Sequence, residues 1–320
     1  MKTVRIIKNY DWPHLLRQTP GQKGEWDGIL FTLDPVDECD YAIIINHVPE
    51  NTEVVCPPNH VWAIMQEDAI PAVRRQLNRD CYNFYRVYTA DDNLVGEKYI
   101  HTHGSQPWAV DKDYDALKSC QIPVKTRVLS WITSNRTYYR GHKERMDFLR
   151  KIRGHIEFDL FGRGFTPIDD KWDGLAPYNY SLVVENFHGP FGWSEKLADC
   201  YLSWTMPIYY GCTNIEDYFP EESFVRIDIK RQEAIREIRD VINSDLWLQN
   251  REAIAYAREL VLEKHQFFPF FTAQIHQFEA EKKSNLSRQK ERIFLRAQRE
   301  LKPSFWGRAS SYLYRFLKLR

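Results

Sequence analysis

An α/β protein built from two units is predicted by three observations. Strand-length β-branched and aromatic runs alternate with helical periodicity, 320 residues exceed one ordinary domain, and 43% hydrophobic with 28% charged residues is a globular balance. In the first unit, residues 3–7, 29–33, 41–45, 60–65 and 85–88 read as strands, separated by turns such as Asp34-Pro35 and Pro57-Pro58-Asn59. A second unit opens at Arg127. Strand 128–132, helix 141–152, strands 158–161 and 180–184, helix 194–204 and strands 207–210 and 224–227 follow in the alternation that builds a parallel sheet. Helices are expected over 232–243 and 245–265. The boundary falls near Ser119 to Lys125, which divides the chain into a first unit 1–124, a second unit 125–270 and C-terminal helices with a basic, aromatic tail over 271–320.

The densest chemistry lies between Tyr178 and Leu197. Tyr-Asn-Tyr-Ser-Leu-Val-Val-Glu-Asn ends in polar Glu185-Asn186. Gly189, Pro190 and Gly192 break the strand, and Ser194-Glu195-Lys196-Leu197 opens a helix whose apolar positions are Leu197, Ala198, Tyr201 and Leu202. In open α/β sheets ligands bind where strands end and helices begin, and a helix N-terminus beside a lysine is a natural phosphate seat.

This region resembles the α-1,3-fucosyltransferase family of bacterial type (glycosyltransferase family 10), which uses GDP-fucose. The resemblance rests on the Glu185-Asn186 and Ser194-Glu195-Lys196 elements, Pro207-Ile208-Tyr209-Tyr210-Gly211 and Asp217-Tyr218-Phe219-Pro220. Upstream, Ser134-Asn135, Arg145-Met146-Asp147-Phe148 and Phe161-Gly162-Arg163 stand in the family's order. It covers roughly residues 127–229 and implies a GT-B-like fold, two Rossmann-like α/β domains facing across a cleft. It also implies inverting, metal-independent transfer of fucose from GDP-fucose to a hydroxyl of a glycan. Transfer of another GDP-linked sugar, or a non-catalytic glycan- or nucleotide-binding module docked at a membrane, are the alternatives.

Such a transfer needs a base for the acceptor hydroxyl and fixed donors for the departing diphosphate. By resemblance the donor-binding residues are Tyr178, Asn186, Ser194, Lys196 and Arg145, with Arg140 the competitor of Arg145, while Glu195 steadies positive character on the sugar ring. The base is expected from the first unit, at Glu67, with Asp68 a rival and His14, His101 and His103 as other candidates. Two departures stand out: Gly192-Trp193 where the family has a tyrosine, and Val184 where it has phenylalanine. No metal is expected. Asp111-Lys112-Asp113 reads as a polar turn, and His101-Thr102-His103 supplies only two ligands of the three or four a site needs.

Six cysteines without close pairs read as reduced, and the N-terminus lacks an apolar run of signal or anchor length, so a cytoplasmic protein is expected. The formal charge is zero, but residues 282–320 carry twelve Lys and Arg against Glu291 and Glu300. The tail is therefore +10 and the remainder −10. Its basic residues interleave with Phe305, Trp306, Tyr312, Tyr314 and Phe316, a pattern suited to an anionic membrane surface on the inner face. A solvated or domain-docked helix pair is the alternative. A nucleic-acid partner is not expected, since no recognition motif accompanies the charge. A lipid-linked or lipopolysaccharide-type glycan is the acceptor this tail suggests.

Overall fold

The computed structural model describes residues 1–66, 84–281 and 289–297. The first lobe holds β1 (Lys2–Ile7), β2 (Glu25–Trp26), β3 (Ile29–Thr32), β4 (Tyr41–Ile45), β5 (Thr52–Cys56), β6 (Val61–Ile64), β7 (Arg86–Thr89) and β8 (Tyr99–His101). Seven of these form one sheet in the order β2-β3-β1-β4-β6-β7-β8. It is parallel apart from the β2–β3 hairpin. β4 explains why an unbroken apolar run sits at the centre: all five residues are buried, and the pleat sends Tyr41, Ile43 and Ile45 into one core and Ala42 and Ile44 into another.

The chain then passes through α1 (Tyr114–Ser119) into the second lobe, which contains β9 (Arg127–Ile132), α2 (Arg140–Ile152), β10 (Asp159–Phe161), β11 (Tyr178–Gly189), α3 (Glu195–Leu202), β12 (Met206–Cys212) and β13 (Val225–Arg226). Its five strands run β10-β9-β11-β12-β13, all parallel. Alternate residues of β11 serve two cores. Val183 packs with Leu197, Ala198 and Tyr201 of α3 on one face; Leu182 and Val184 pack with Met146, Phe148 and Ile152 of α2 on the other. The expected helix over 245–265 is three pieces, α5 (Leu246–Gln249), α6 (Arg251–Leu260) and a π-helical turn Val261–His265, preceded by α4 (Ala234–Ile242).

α7 (Phe267–Ala280) crosses back to the first lobe. Phe267, Phe268, Phe271, Ile275 and Phe278 seal the sheet face that presents Phe31, Trp62 and Tyr88. Two α/β lobes with parallel sheets, joined by an outgoing link and a returning helix, form the GT-B-like arrangement.

Two expectations are corrected. Trp108, Val110, Tyr114 and Leu117 belong to the core of the second lobe, so the chain leaves the first lobe before residue 108 rather than near Ser119 to Lys125. The tail is not helical throughout 271–320: β14 (Glu291–Leu295) pairs antiparallel with β5, and Lys290 and Arg292 bind Glu38 and Glu53. Ile293-Phe294-Leu295 is too short an apolar run for periodicity to separate strand from helix. Residues 298–320, with most of the basic-aromatic pattern, lie outside the described residues, as does Glu67.

Candidate active site

A cleft of about 690 Å³ opens between the lobes. The first lobe lines it with Trp12, Met65, Gln66, Ala90, Gly104 and Gln106; the second contributes Arg136, Arg145, Arg163, Lys171, Glu185, Asn186, Ser194, Glu195 and Lys196. Its size lies within the ~300–1,000 Å³ of sites that enclose small organic ligands. Among the described residues the charged side chains of the lining all come from the second lobe, at the C-terminal ends of its strands, where a parallel α/β sheet places ligands.

The pleat of β11 decides which partners its last polar pair meets. Asn186 follows the α2 face, where its Oδ1 accepts from Arg145 Nη1 at 2.6 Å. Arg145 Nη2 donates to the Ser134 carbonyl at 3.0 Å and hydroxyl at 3.2 Å. Arg145 is 3% exposed, its Nε has no hydrogen-bond partner among the described residues, and burial lowers its pKa. A buried cation with an unused N–H at a cleft wall is suited to an anion. Arg140, its competitor, is exposed and bonded to Glu144 at 2.8 Å within its own helix.

Glu185 points to the α3 face. Its carboxylate accepts from the Ser194 amide at 2.9 Å, from the Ser194 hydroxyl at 2.8 Å and from Lys196 Nζ at 3.1 Å. Ser194 is the N-cap of α3, its Oγ accepting from the Lys196 amide. A protein carboxylate therefore already occupies part of the expected phosphate seat. Residue assignment from the motif missed Glu185, although strand alternation alone separates it from Asn186 and turns it toward the following helix.

Glu195 and its neighbours form a charge cluster. Glu195 Oε1 lies 3.4 Å from Lys171 Nζ and 3.7 Å from Lys196 Nζ, and Lys171 also binds Asp199 Oδ2 at 2.9 Å. Burial alone would raise the Glu195 carboxyl, but Lys196 and then Lys171 carry it down to about 2, so it is ionised at neutral pH. Burial would likewise lower both lysines. Asp199 and Glu195 raise Lys171 instead, and Glu185 and Glu195 raise Lys196. Asp199 is fully buried, and burial raises its pKa despite Lys171. Lys171 and Asp199 are further residues that sequence reasoning missed.

Tyr178 is a correction. It is buried at the opening of β11, with its hydroxyl donating to Asp159 at 2.8 Å, and eight residues of strand, ~26 Å, separate it from Asn186. It anchors the far edge of the sheet. Asp111 and Asp113 also have structural partners: Asp111 accepts from Arg17, and Asp113 caps α1. Among the described residues no three His, Cys, Asp or Glu side chains gather as metal ligands.

The two histidines of β8 and its extension are ring contacts across the lobes. His101 stacks on Phe191 at 5.8 Å, and His103 on Trp193 at 4.7 Å, so Trp193 becomes an inter-lobe packing residue. The π-helical turn brings His265 edge-on to His103 at 5.1 Å, its Nε2 donating to the Tyr218 carbonyl at 3.1 Å. Burial holds His103 well below the ordinary histidine range and lowers His265 to about 4, against the weaker upward pull of the Tyr218 bond. Below pH 6.5 the unfolded chain binds protons that the folded His265 refuses. Its contribution is therefore complete above the unfolded pKa and is lost as pH falls toward 4, about 3 kcal/mol in all. Urea unfolding between pH 7 and 4 should show this loss, and His265→Gln should reduce it while His103 keeps its own share; equal slopes in both proteins would dismiss the assignment.

Two parallel-sheet lobes, with a cationic cleft at the strand ends of the second, define a protein of the GT-B class. Residues 122–273 match the family described as "Glycosyltransferase family 10 (fucosyltransferase) C-term". The chain is 22% identical over 232 residues to rat alpha-(1,3)-fucosyltransferase 4, a match covering 68% of this chain and 50% of that protein. It is 36% identical over 74 residues to the alpha-(1,3)-fucosyltransferase FucT of Helicobacter pylori, covering 22% of this chain and 16% of that protein. The chain thus spans about half the length of the mammalian relative it matches. A solved alpha-glucosyltransferase in complex with UDP and DNA shares the fold, at 12% identity and a TM-score of 0.55 over 87% of this chain and 100% of that one.

Proposed function

We propose that this protein is an inverting, metal-independent fucosyltransferase that moves fucose from GDP-fucose to a glycan hydroxyl. The observation that carries the reading is the convergence at one cleft of Arg145–Asn186 from one face of β11 and Glu185–Ser194–Lys196 from the other, inside the family-matched segment. Arg145, with its spare N–H, and Lys196 take the diphosphate; Asn186 keeps its amide NH2 for a ligand oxygen; Glu195 lies beside the sugar. Ser194 serves by holding Lys196 in place.

The acceptor enters from the first lobe. Trp12, 60% exposed on that wall, offers an aromatic face to a sugar ring. Among the described residues no acid of this lobe lines the cleft, and the described chain runs to Gln66, which does. Glu67, the next residue in sequence, is the base we assign. The deciding assay mixes protein, GDP-fucose, EDTA and a glycan panel, and follows GDP release and the mass of the product. Fucosylated product in EDTA supports the reading. Product from GDP-mannose alone reassigns the donor, and GDP binding without release from any GDP-sugar points to the binding module.

No described helix is long and apolar enough to cross a membrane. The basic, aromatic 282–320 tail supports a cytoplasmic enzyme held peripherally on the inner, anionic leaflet, with a lipid-linked or lipopolysaccharide-type acceptor. Deleting residues 298–320, which leaves β14 in place, should lower binding to phosphatidylglycerol vesicles at least tenfold. Equal sedimentation with the vesicles would end the membrane proposal.

A further inference from the structure

Lys171 stands in a 3-10 turn, Lys171–Gly174, that no periodicity announces, yet its ammonium joins two carboxylates at the cleft, Asp199 at 2.9 Å and Glu195 at 3.4 Å. Asp199 is fully buried, and its other oxygen accepts from the backbone amides of Ala109 at 2.7 Å and Val110 at 3.2 Å, the segment that leaves the first lobe. The same segment is gripped from the first lobe by Arg17, which donates to the carbonyls of Trp108 and Val110 at 2.9 Å and to Asp111 at 3.1 Å. Asp170 beside Lys171 accepts from the Asp111 amide at 2.9 Å, and Lys112 lies over the Trp172 ring at 4.5 Å. A continuous polar path therefore runs from the first lobe through the outgoing link to Asp199, Lys171 and Glu195.

We propose that Lys171, seated by Asp199, is a positioning residue that aims the Glu195 carboxylate at the donor sugar and ties that aim to the seating of the first lobe. Glu195 is the first residue of α3, with 26% of its side chain exposed, and among the described residues its own helix offers it its own backbone amide and the adjacent Lys196 at 3.7 Å. The closer lysine is anchored at the lobe junction. A carboxylate that stabilises developing positive charge must be fixed before reaction, because reorientation during it forfeits the gain. Lys171 supplies that fixation. The inference rests on the fucosyl-transfer reading, with Glu195 at the sugar.

Lys171→Met should lower kcat on the order of 10- to 100-fold, leave the Kd for GDP within about twofold by calorimetry, and be largely rescued by Lys171→Arg. Because Lys171→Met leaves Asp199 buried without its cation, the double variant Lys171→Met/Asp199→Asn, which removes both charges, guards against simple misfolding. It should show the same kcat loss. Turnover within twofold of the parent in a folded variant overturns the proposal. So does a GDP affinity that falls in step with kcat/KM, which would make Lys171 a nucleotide contact. Should the parent protein transfer no sugar, the functional reading fails separately. The positioning claim is then decided by the Glu195 carboxylate resonance, assigned by its absence in Glu195→Gln. Its titration should move up by about one pH unit or more in Lys171→Met, and an unmoved titration rejects it.

Discussion

Glu195→Ala is expected to reduce kcat by about 10²–10³-fold, equivalent to ~2.7–4 kcal/mol of transition-state stabilisation, while leaving the protein folded. The size follows from placement. Glu195 lines the cleft, its carboxyl is held down at about 2 by Lys196 and Lys171, and on the proposed reading it would face the donor sugar as a full negative charge. A sugar leaving a diphosphate gathers positive charge at its anomeric carbon, and a fixed anion beside it lowers the barrier. The fold survives because each lysine keeps a second carboxylate: Lys196 retains Glu185 at 3.1 Å and Lys171 retains Asp199 at 2.9 Å. A favourable acid in the first turn of α3 is lost, at about 0.3–1 kcal/mol. Unchanged turnover in the alanine variant would remove Glu195 from the chemistry.

Gly141→Ala should be nearly as damaging, through backbone rather than charge. A methyl group on residue 141, in the first turn of α2, would sit 1.9 Å from the carbonyl oxygen of Asn186 and 2.6 Å from its carbonyl carbon. Neither is a side chain that can swing away, so helix and strand end must separate. Arg145 lies one turn further along α2 and bonds Asn186 at 2.6 Å, so the separation reaches that pair, proposed to hold the diphosphate, directly. A misplacement near 1 Å costs on the order of 10²-fold in function, and overpacking costs ~1–3 kcal/mol in stability. The test is sharp in sign, because alanine in an unobstructed helix stabilises by ~1 kcal/mol over glycine. A variant with a raised Tm and intact GDP binding would show that α2 does not abut β11 there.

Much of this arrangement was legible in the sequence, for identifiable reasons. Tyr180 to Val184 is a β-branched and aromatic run of strand length, stopped by Gly189, Pro190 and Gly192, and Ser194-Glu195-Lys196 before the apolar positions of α3 marks a helix start. Asn186 and Lys196 were named through the family resemblance carried by that strand-to-helix junction. Lys171 and Asp199 did not, because one sits in an isolated turn and the other on the buried side of α3. Their meeting depends on tertiary packing against residues 109–110. The reach of α7 was hidden too, since Phe267, Phe268 and Phe271 fill an aromatic run without a distinct polar face to tell which lobe it covers. His101 and His103 were visible as a pair, but their ring contacts with Phe191 and Trp193 come from the other lobe.

The return of α7 constrains how the cleft can open. Among the described residues the polypeptide passes between the lobes twice, once ahead of Trp108 and once between His265 and Phe267, and each crossing is clasped, by Arg17 and Asp199 at the first and by Gln266 donating to the Gln18 carbonyl at the second. A body tied at two points swings freely only about the line that joins them. Admission of substrate and escape of product are thereby reduced to one angular coordinate, a door on a pair of pins, whose pivots lie at the junction where Lys171 is anchored and His265 is packed.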